Sequence, residues 1–129
     1  MHAGKERVGG VETVRVSFAE HAHPTLVSRG SDGQDLPAHG DVWLDARDGV
    51  VYRTRLVTDD SRFDTHAEIT VTFAREPKLD RWLPVRMSET YVQQGIASTP
   101  PGSFAERIEY VATYANYRRF ETSARVLPQ

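Results

Sequence analysis

Cysteine is absent from this chain. Its absence removes disulfides, thiol nucleophiles and thiolate metal sites from consideration, and it leaves the compartment open. Long apolar runs are missing too. No stretch approaches the roughly twenty apolar residues that a membrane-spanning helix needs, so no membrane span is expected. A surplus of one charge is also missing. The formal net charge is −2, which gives no bulk electrostatic footprint for nucleic acid. Helical periodicity is absent as well, since no long window places apolar residues at i, i+3, i+4 and i+7. Gly9-Gly10 and Gly30-x-x-Gly33 lack the strand-to-helix context of a phosphate loop, and no serine stands in a nucleophile-elbow sequence. Met1–Gly10 is polar, without the apolar centre of a secretory signal.

What the chain has is alternation. In Thr65–Phe73, Ala67, Ile69, Val71 and Phe73 fall on one side, and His66, Glu68, Thr70 and Thr72 on the other. Side chains along a strand point to opposite faces in turn, so this segment has one apolar and one wettable side. Val14, Val16 and Phe18 alternate with Arg15 and Ser17 in the same way. In Leu83–Tyr91, Leu83, Val85, Met87 and Tyr91 face one way, opposite Arg86, Ser88 and Thr90, and Glu89 falls on the apolar side. Val, Thr, Tyr, Phe and Ile dominate these runs, as strands prefer.

With 129 residues the chain has the length of one β domain, 1–129. Its opening, 1–10, is expected to fray, and Gly9-Gly10 runs straight into a strand as a cut into a longer protein would. Strands are expected at Glu12–Ala19 and Pro24–Ser28, followed by a loop at Arg29–His39. Asp41–Asp45 and Val50–Thr58 should form a hairpin around Asp48-Gly49, because the glycine supplies the positive φ of a tight turn. Asp59–Phe63 reads as a connection and Thr65–Ala74 as a strand. Glu76–Asp80 turns the chain, and Arg81–Gln93 is a long strand with a bulge or an unpaired amide near Pro84. Gly95–Ser103 reads as a loop, Ser103–Arg107 can form a helical turn, and Glu106–Val126 is a last stretch that bends near Asn116. The fold class is therefore all-β: an antiparallel meander with little helix. Its apolar face must be covered, closed or curled, which favours a half-barrel or open barrel.

Several residues in order carry a resemblance. They are Gly40-Asp41-Val42-Trp43-Leu44-Asp45, the Asp48-Gly49 turn, Val51–Leu56, Ile69–Phe73, Trp82–Tyr91 and Ala112–Phe120, which contains Asn116-Tyr117-Arg118-Arg119-Phe120. This pattern, over roughly 40–120, resembles the C-terminal part of a group of uncharacterised secreted bacterial proteins. It is similar in turn to the half-barrel of the bacterial outer-membrane lipoprotein carriers. The resemblance implies a curled sheet, a periplasmic or secreted setting, and an apolar concave surface as the working part. Those carriers cover the concave face with helices, which this chain lacks.

Candidate chemistry is sparse. His21 and His23 stand at i, i+2 and could share a metal with His39, His66 or Asp59, or they lie on an exposed turn before Pro24. Asp59, Asp60 and Asp64 suit a hard cation or a solvated connection. Glu89 is either a general acid or base with a raised pKa, or the partner of Arg55, Arg107 or Arg118, and the ion pair is favoured. Arg118 and Arg119 between Tyr117 and Phe120 form a stacking strip for single strands or a solvated edge strand, and the edge strand is favoured. Trp43 is out of phase with Val42 and Leu44, which requires cover on both sides of the sheet there. No catalytic residue, metal or cofactor is assigned. The function expected is a non-enzymatic binding module whose groove, lined by Ile69, Val71, Phe73, Val85, Met87 and Tyr91, takes a lipid, an acyl chain or a protein partner, including a second copy. The alternatives are a structural domain of a longer secreted protein and an enzyme using Glu89 or His21 and His23.

Overall fold

The computed structural model describes residues 3–128 apart from 31, 62, 63, 99 and 100, with backbone alone at 96–98, 101, 103 and 104. Among the described residues nine strands follow one another: β1 (Ala3–Val8), β2 (Val11–Ala19), β3 (Val27–Ser28), β4 (Asp35–Leu36), β5 (Ala38–Leu44), β6 (Val51–Asp60), β7 (Thr65–Glu76), β8 (Arg81–Ser98) and β9 (Pro101–Thr113). Seven of them form one antiparallel sheet in the order β1-β2-β5-β6-β7-β8-β9, and β3 and β4 form a separate ribbon. The sheet is an unclosed meander with β1 and β9 at its edges. No helix occurs among the described residues, so none there is long and apolar enough to cross a membrane.

Turn chemistry sets the register. Asp45 donates its amide to the Val50 carbonyl at 2.9 Å, and Gly49, at φ +75°, donates to the Asp45 carbonyl at 2.8 Å. The Asp45 carboxylate takes the guanidinium and the amide of Arg47, which hold its pKa down to about 2. The expected bulge is present opposite Pro84: the pairing slips between Thr72 and Phe73. Gly40 permits close approach, since a Cβ there would stand 1.9 Å from the Arg55 carbonyl oxygen.

Several boundaries differ from expectation. Ala3–Val8, where the pattern places no strand, pairs with β2 through Gly9 and Gly10 at φ +57° and +80°. Only Val27–Ser28 of the expected Pro24–Ser28 strand pairs, because side chains hold the chain just before it. The Leu26 amide donates to the Glu20 carboxylate at 2.8 Å, and the Thr25 amide donates to Asp35 at 3.2 Å. The expected Arg29–His39 loop contains β4 and the start of β5. The expected loop at Gly95–Ser103 and helical turn at Ser103–Arg107 give way to one long hairpin, in register down to Ser98 opposite Pro101. The connection Asp59–Phe63 shortens because β6 runs to Asp60, and Phe63 lies outside the described residues. The last stretch stops at Thr113. Asn116 stands at φ +57°, and 114–128 joins no strand.

Most of the buried side chains sit in β2, β5 and β6 or in the turn just after β5. Thr13, Ala38, Trp43, Asp45, Val57 and Thr58 are buried there, and Val8 joins them from β1. Trp43, only 4% exposed, lies on the polar face, and its cover is not a second layer. Its indole N–H donates to Glu6 at 2.8 Å and the Arg53 guanidinium lies 4.0 Å above its ring. Long charged side chains bury it with their stems while their heads stay wet.

Candidate functional site

Cross-strand register sorts the sheet into two unlike faces. One carries Val16, Val42 and Thr54 opposite one another across β2, β5 and β6, then Val71, Met87 and Ala112 across β7, β8 and β9. The next rows read Gly40, Leu56, Ile69, Glu89, Tyr110 and then Ala38, Thr58, Ala67, Tyr91, Ile108. These rows are apolar from β2 to β9 with one carboxylate, Glu89, and the next row, Asp60, Thr65, Gln93 and Glu106, is polar.

The other face is a lattice of alternating charge. Ser17 donates to Asp41 at 2.5 Å, and Arg55 reaches Asp41 at 3.5 Å. Arg55 also donates twice to Glu68, at 2.7 and 3.1 Å. The Arg55 guanidinium holds the Glu68 carboxyl below its usual range, and Glu68 raises Arg55 in return. His66 pairs with Asp59 at 2.6 Å. Such half-exposed pairs contribute little energy each, but they fix which face is wet.

Five residues of the expected groove, Ile69, Val71, Phe73, Met87 and Tyr91, share the apolar face by register and alternation. Val85 sits in the bulge and is 37% exposed. Tyr114 joins the group by donating its hydroxyl to the Met87 sulfur at 3.8 Å. Ile108 and Tyr110 extend the face onto β9. They were not singled out from sequence, although their alternation with Arg107 and Glu109 was the available signal.

The β3–β4 ribbon roofs one end of this face. Arg29 clamps it with two hydrogen bonds of 2.7 Å to Asp60, and Asp32 adds a contact at 2.8 Å. Asp60 raises the pKa of Arg29 in this clamp. Beneath the ribbon lies a cleft of about 360 Å³ lined by Val27, Leu36, Thr58, Ala67 and Tyr91 among others. Its lining mixes these side chains with Ser28, Arg29, Asp60, Thr65 and Gln93.

The other candidates separate. His23 donates its Nδ1–H to the Asp35 carboxylate at 2.6 Å, lowering the Asp35 pKa, and His21 is exposed just before it. No group of three metal-ligating side chains converges among the described residues. The expected ion pair of Glu89 does not form. Arg55 is on the opposite face with Glu68, and Arg107 pairs with Glu109 at 2.7 Å. Arg118 lies in the exposed terminal segment. Glu89 instead accepts the Tyr91 hydroxyl at 3.2 Å. Burial, then the Glu89 charge, raises the Tyr91 pKa. Arg118, Arg119 and Phe120 belong to no strand, so the expected edge strand is absent there.

Comparison with protein families, with curated proteins and with solved structures finds no match to this chain.

Proposed function

We propose that this chain is a non-enzymatic binding module whose apolar sheet face receives a lipid-like ligand. One observation carries the reading: from β7 to β9 no described side chain of the apolar face is buried, Ile69, Val71, Phe73, Met87 and Tyr91 being half-buried and Ile108 and Tyr110 exposed. The accessible surface is 10081 Å² for 14.5 kDa. A compact monomer of that mass exposes about 6,900 Å². Part of the excess belongs to the extended segment after Thr113, and part to the face, where Ile108 is 39% and Tyr110 55% exposed. Exposed apolar patches of this kind mark binding surfaces. The sequence resemblance of 40–120 to a secreted half-barrel supports an extracytoplasmic setting.

A neutral dye that fluoresces in apolar surroundings, N-phenyl-1-naphthylamine, tests the reading. The wild type should bind it with micromolar affinity, and Met87→Glu should weaken binding about tenfold by placing a charge in the face. A wild type that leaves the dye dark removes the reading. A second reading, a protein partner or second copy added along β9, is favoured by Val111. It is 59% exposed on the face opposite Tyr110, at the open edge. Light scattering that reports a concentration-dependent dimer would support it.

A further inference from the structure

We propose that the apolar face is built for an amphiphile with a cationic head, and that Glu89 receives that head. The inference rests on the binding-module reading and narrows it to a ligand class. Glu89 is the one carboxylate within the three apolar rows; Asp60 and Glu106 stand on the same face in the polar row beyond Tyr91, and Asp60 is held by Arg29. Its cross-strand neighbours are Ile69 on β7 and Tyr110 on β9, and its neighbours along the same side of β8 are Met87 and Tyr91. A carboxylate among such groups costs free energy unless something balances it.

The balance supplied by the protein is partial. Glu89 accepts one hydrogen bond, from the Tyr91 hydroxyl at 3.2 Å. An ionised carboxylate offers about four acceptor sites. No described Lys, Arg or His stands within ion-pair distance of it. The arginines close to it in the sheet order are spent elsewhere, Arg55 on Glu68 and Asp41, Arg107 on Glu109. Both are on the charged face. The charge is thus left for a ligand to meet.

The aromatic surroundings point to the same ligand. Tyr91 and Tyr110 meet edge to face with ring centroids 6.2 Å apart, and Tyr110 is 55% exposed. Tyrosine faces attract cations by their quadrupole, and a carboxylate beside them adds a direct ion pair. A long-chain amine or quaternary ammonium would lay its chain along Met87, Val71 and Phe73 and place its head at Glu89. A fatty-acid carboxylate would meet like charge at the same point.

The test is calorimetric titration of the intact chain with three decyl amphiphiles below their micellar concentrations: decyltrimethylammonium, decanoate and neutral decyl glucoside. The ammonium should bind about tenfold tighter than decanoate, with the glucoside between them. Glu89→Gln should bring the ammonium and decanoate within about twofold of each other, and an unchanged urea midpoint shows that the variant is folded. Glu109→Gln makes the same charge change on the other face and should keep the full preference. Decanoate binding as tightly as the ammonium overturns the proposal, as does a preference that survives in Glu89→Gln or falls equally in Glu109→Gln. If even the neutral glucoside fails to bind, the binding-module reading itself falls, and the head-group inference with it.

Discussion

The two ends of the sheet are made by the same hydrogen-bonded ladder and differ in what lies over it. Across β1, β2, β5 and β6, Val8, Thr13, Ala38, Trp43, Val57 and Thr58 are buried. Across β8, β9 and the segment that follows, no described side chain is, and Val85, Ile108, Tyr110, Val111, Tyr114, Phe120, Val126 and Leu127 are exposed. Strand pairing alone therefore does not make a core here. In the first region side chains reaching across the polar face, such as Glu6 and Arg53, close over Trp43, while Ala38 and Thr58 lie on the apolar face at the ribbon end. The second is paired but holds no fully buried side chain among the described residues. Substitutions in the first region should therefore cost stability, and substitutions in the second should cost binding.

The sharpest way to break the comparison is Gly40→Ala. The new methyl would meet the Arg55 carbonyl oxygen at 1.9 Å, and backbone atoms cannot rotate away as a flexible side chain can. The β5–β6 pair would have to separate at its centre. The expected loss is about 2–3 kcal/mol, read as a lowered urea midpoint. A midpoint within error of wild type would mean that the strands lie farther apart than described, and that the well-buried region is not tightly packed.

Gly49→Val probes the turn that aligns the same pair. Gly49 stands at φ +75°, where a β-branched residue is strained, and nothing crowds its missing side chain. The cost is therefore conformational, about 1 kcal/mol or somewhat more. The m-value should stay unchanged, because the surface exposed on unfolding is the same. An unshifted midpoint would show that the turn relaxes into another type without loss of register.

The apolar face itself was legible in the sequence. Period two over Ile69, Val71 and Phe73, and again over Met87 and Tyr91, needs no knowledge of partners. The pairing of Glu89 was not legible, because it depends on which residues stand opposite. Arg55 aligns with Thr70, and Thr70 with Ser88, which puts Arg55 on the far face from Glu89. One step of register would reverse that, and sequence spacing does not set the step. The strand β1 was hidden for a different reason. Ala3–Val8 is mostly polar and has no apolar alternation, so the only clue was the Gly9-Gly10 pair, which forms a tight connection with both residues at positive φ. Beyond Asn116 the reverse holds. Phe120, Thr122, Ala124 and Val126 alternate with Arg119, Glu121, Ser123 and Arg125 as a strand would, yet no strand lies beside them to pair with. Alternation makes a segment fit for a sheet, and only a free edge in reach makes it a strand.

The smallest expected effect on stability is also the one that most sharpens the comparison. Tyr110 is 55% exposed, and its ring contacts Tyr91 edge to face on the apolar side of β9. Replacing it with threonine keeps a strand-forming residue and removes a large, half-wet ring. Little buried area is lost, so the stability read from urea unfolding should fall by no more than about 0.5 kcal/mol. Binding of the neutral naphthylamine dye should fall severalfold, because the ring is part of the surface that the dye covers. That combination, stability kept and binding lost, separates a ligand face from a core, where both would fall together. If Tyr110→Thr instead destabilises the chain as strongly as Gly40→Ala, the ring is covered in solution. The uncovered face would then be an interface already occupied, and light scattering on the same samples would report the larger mass.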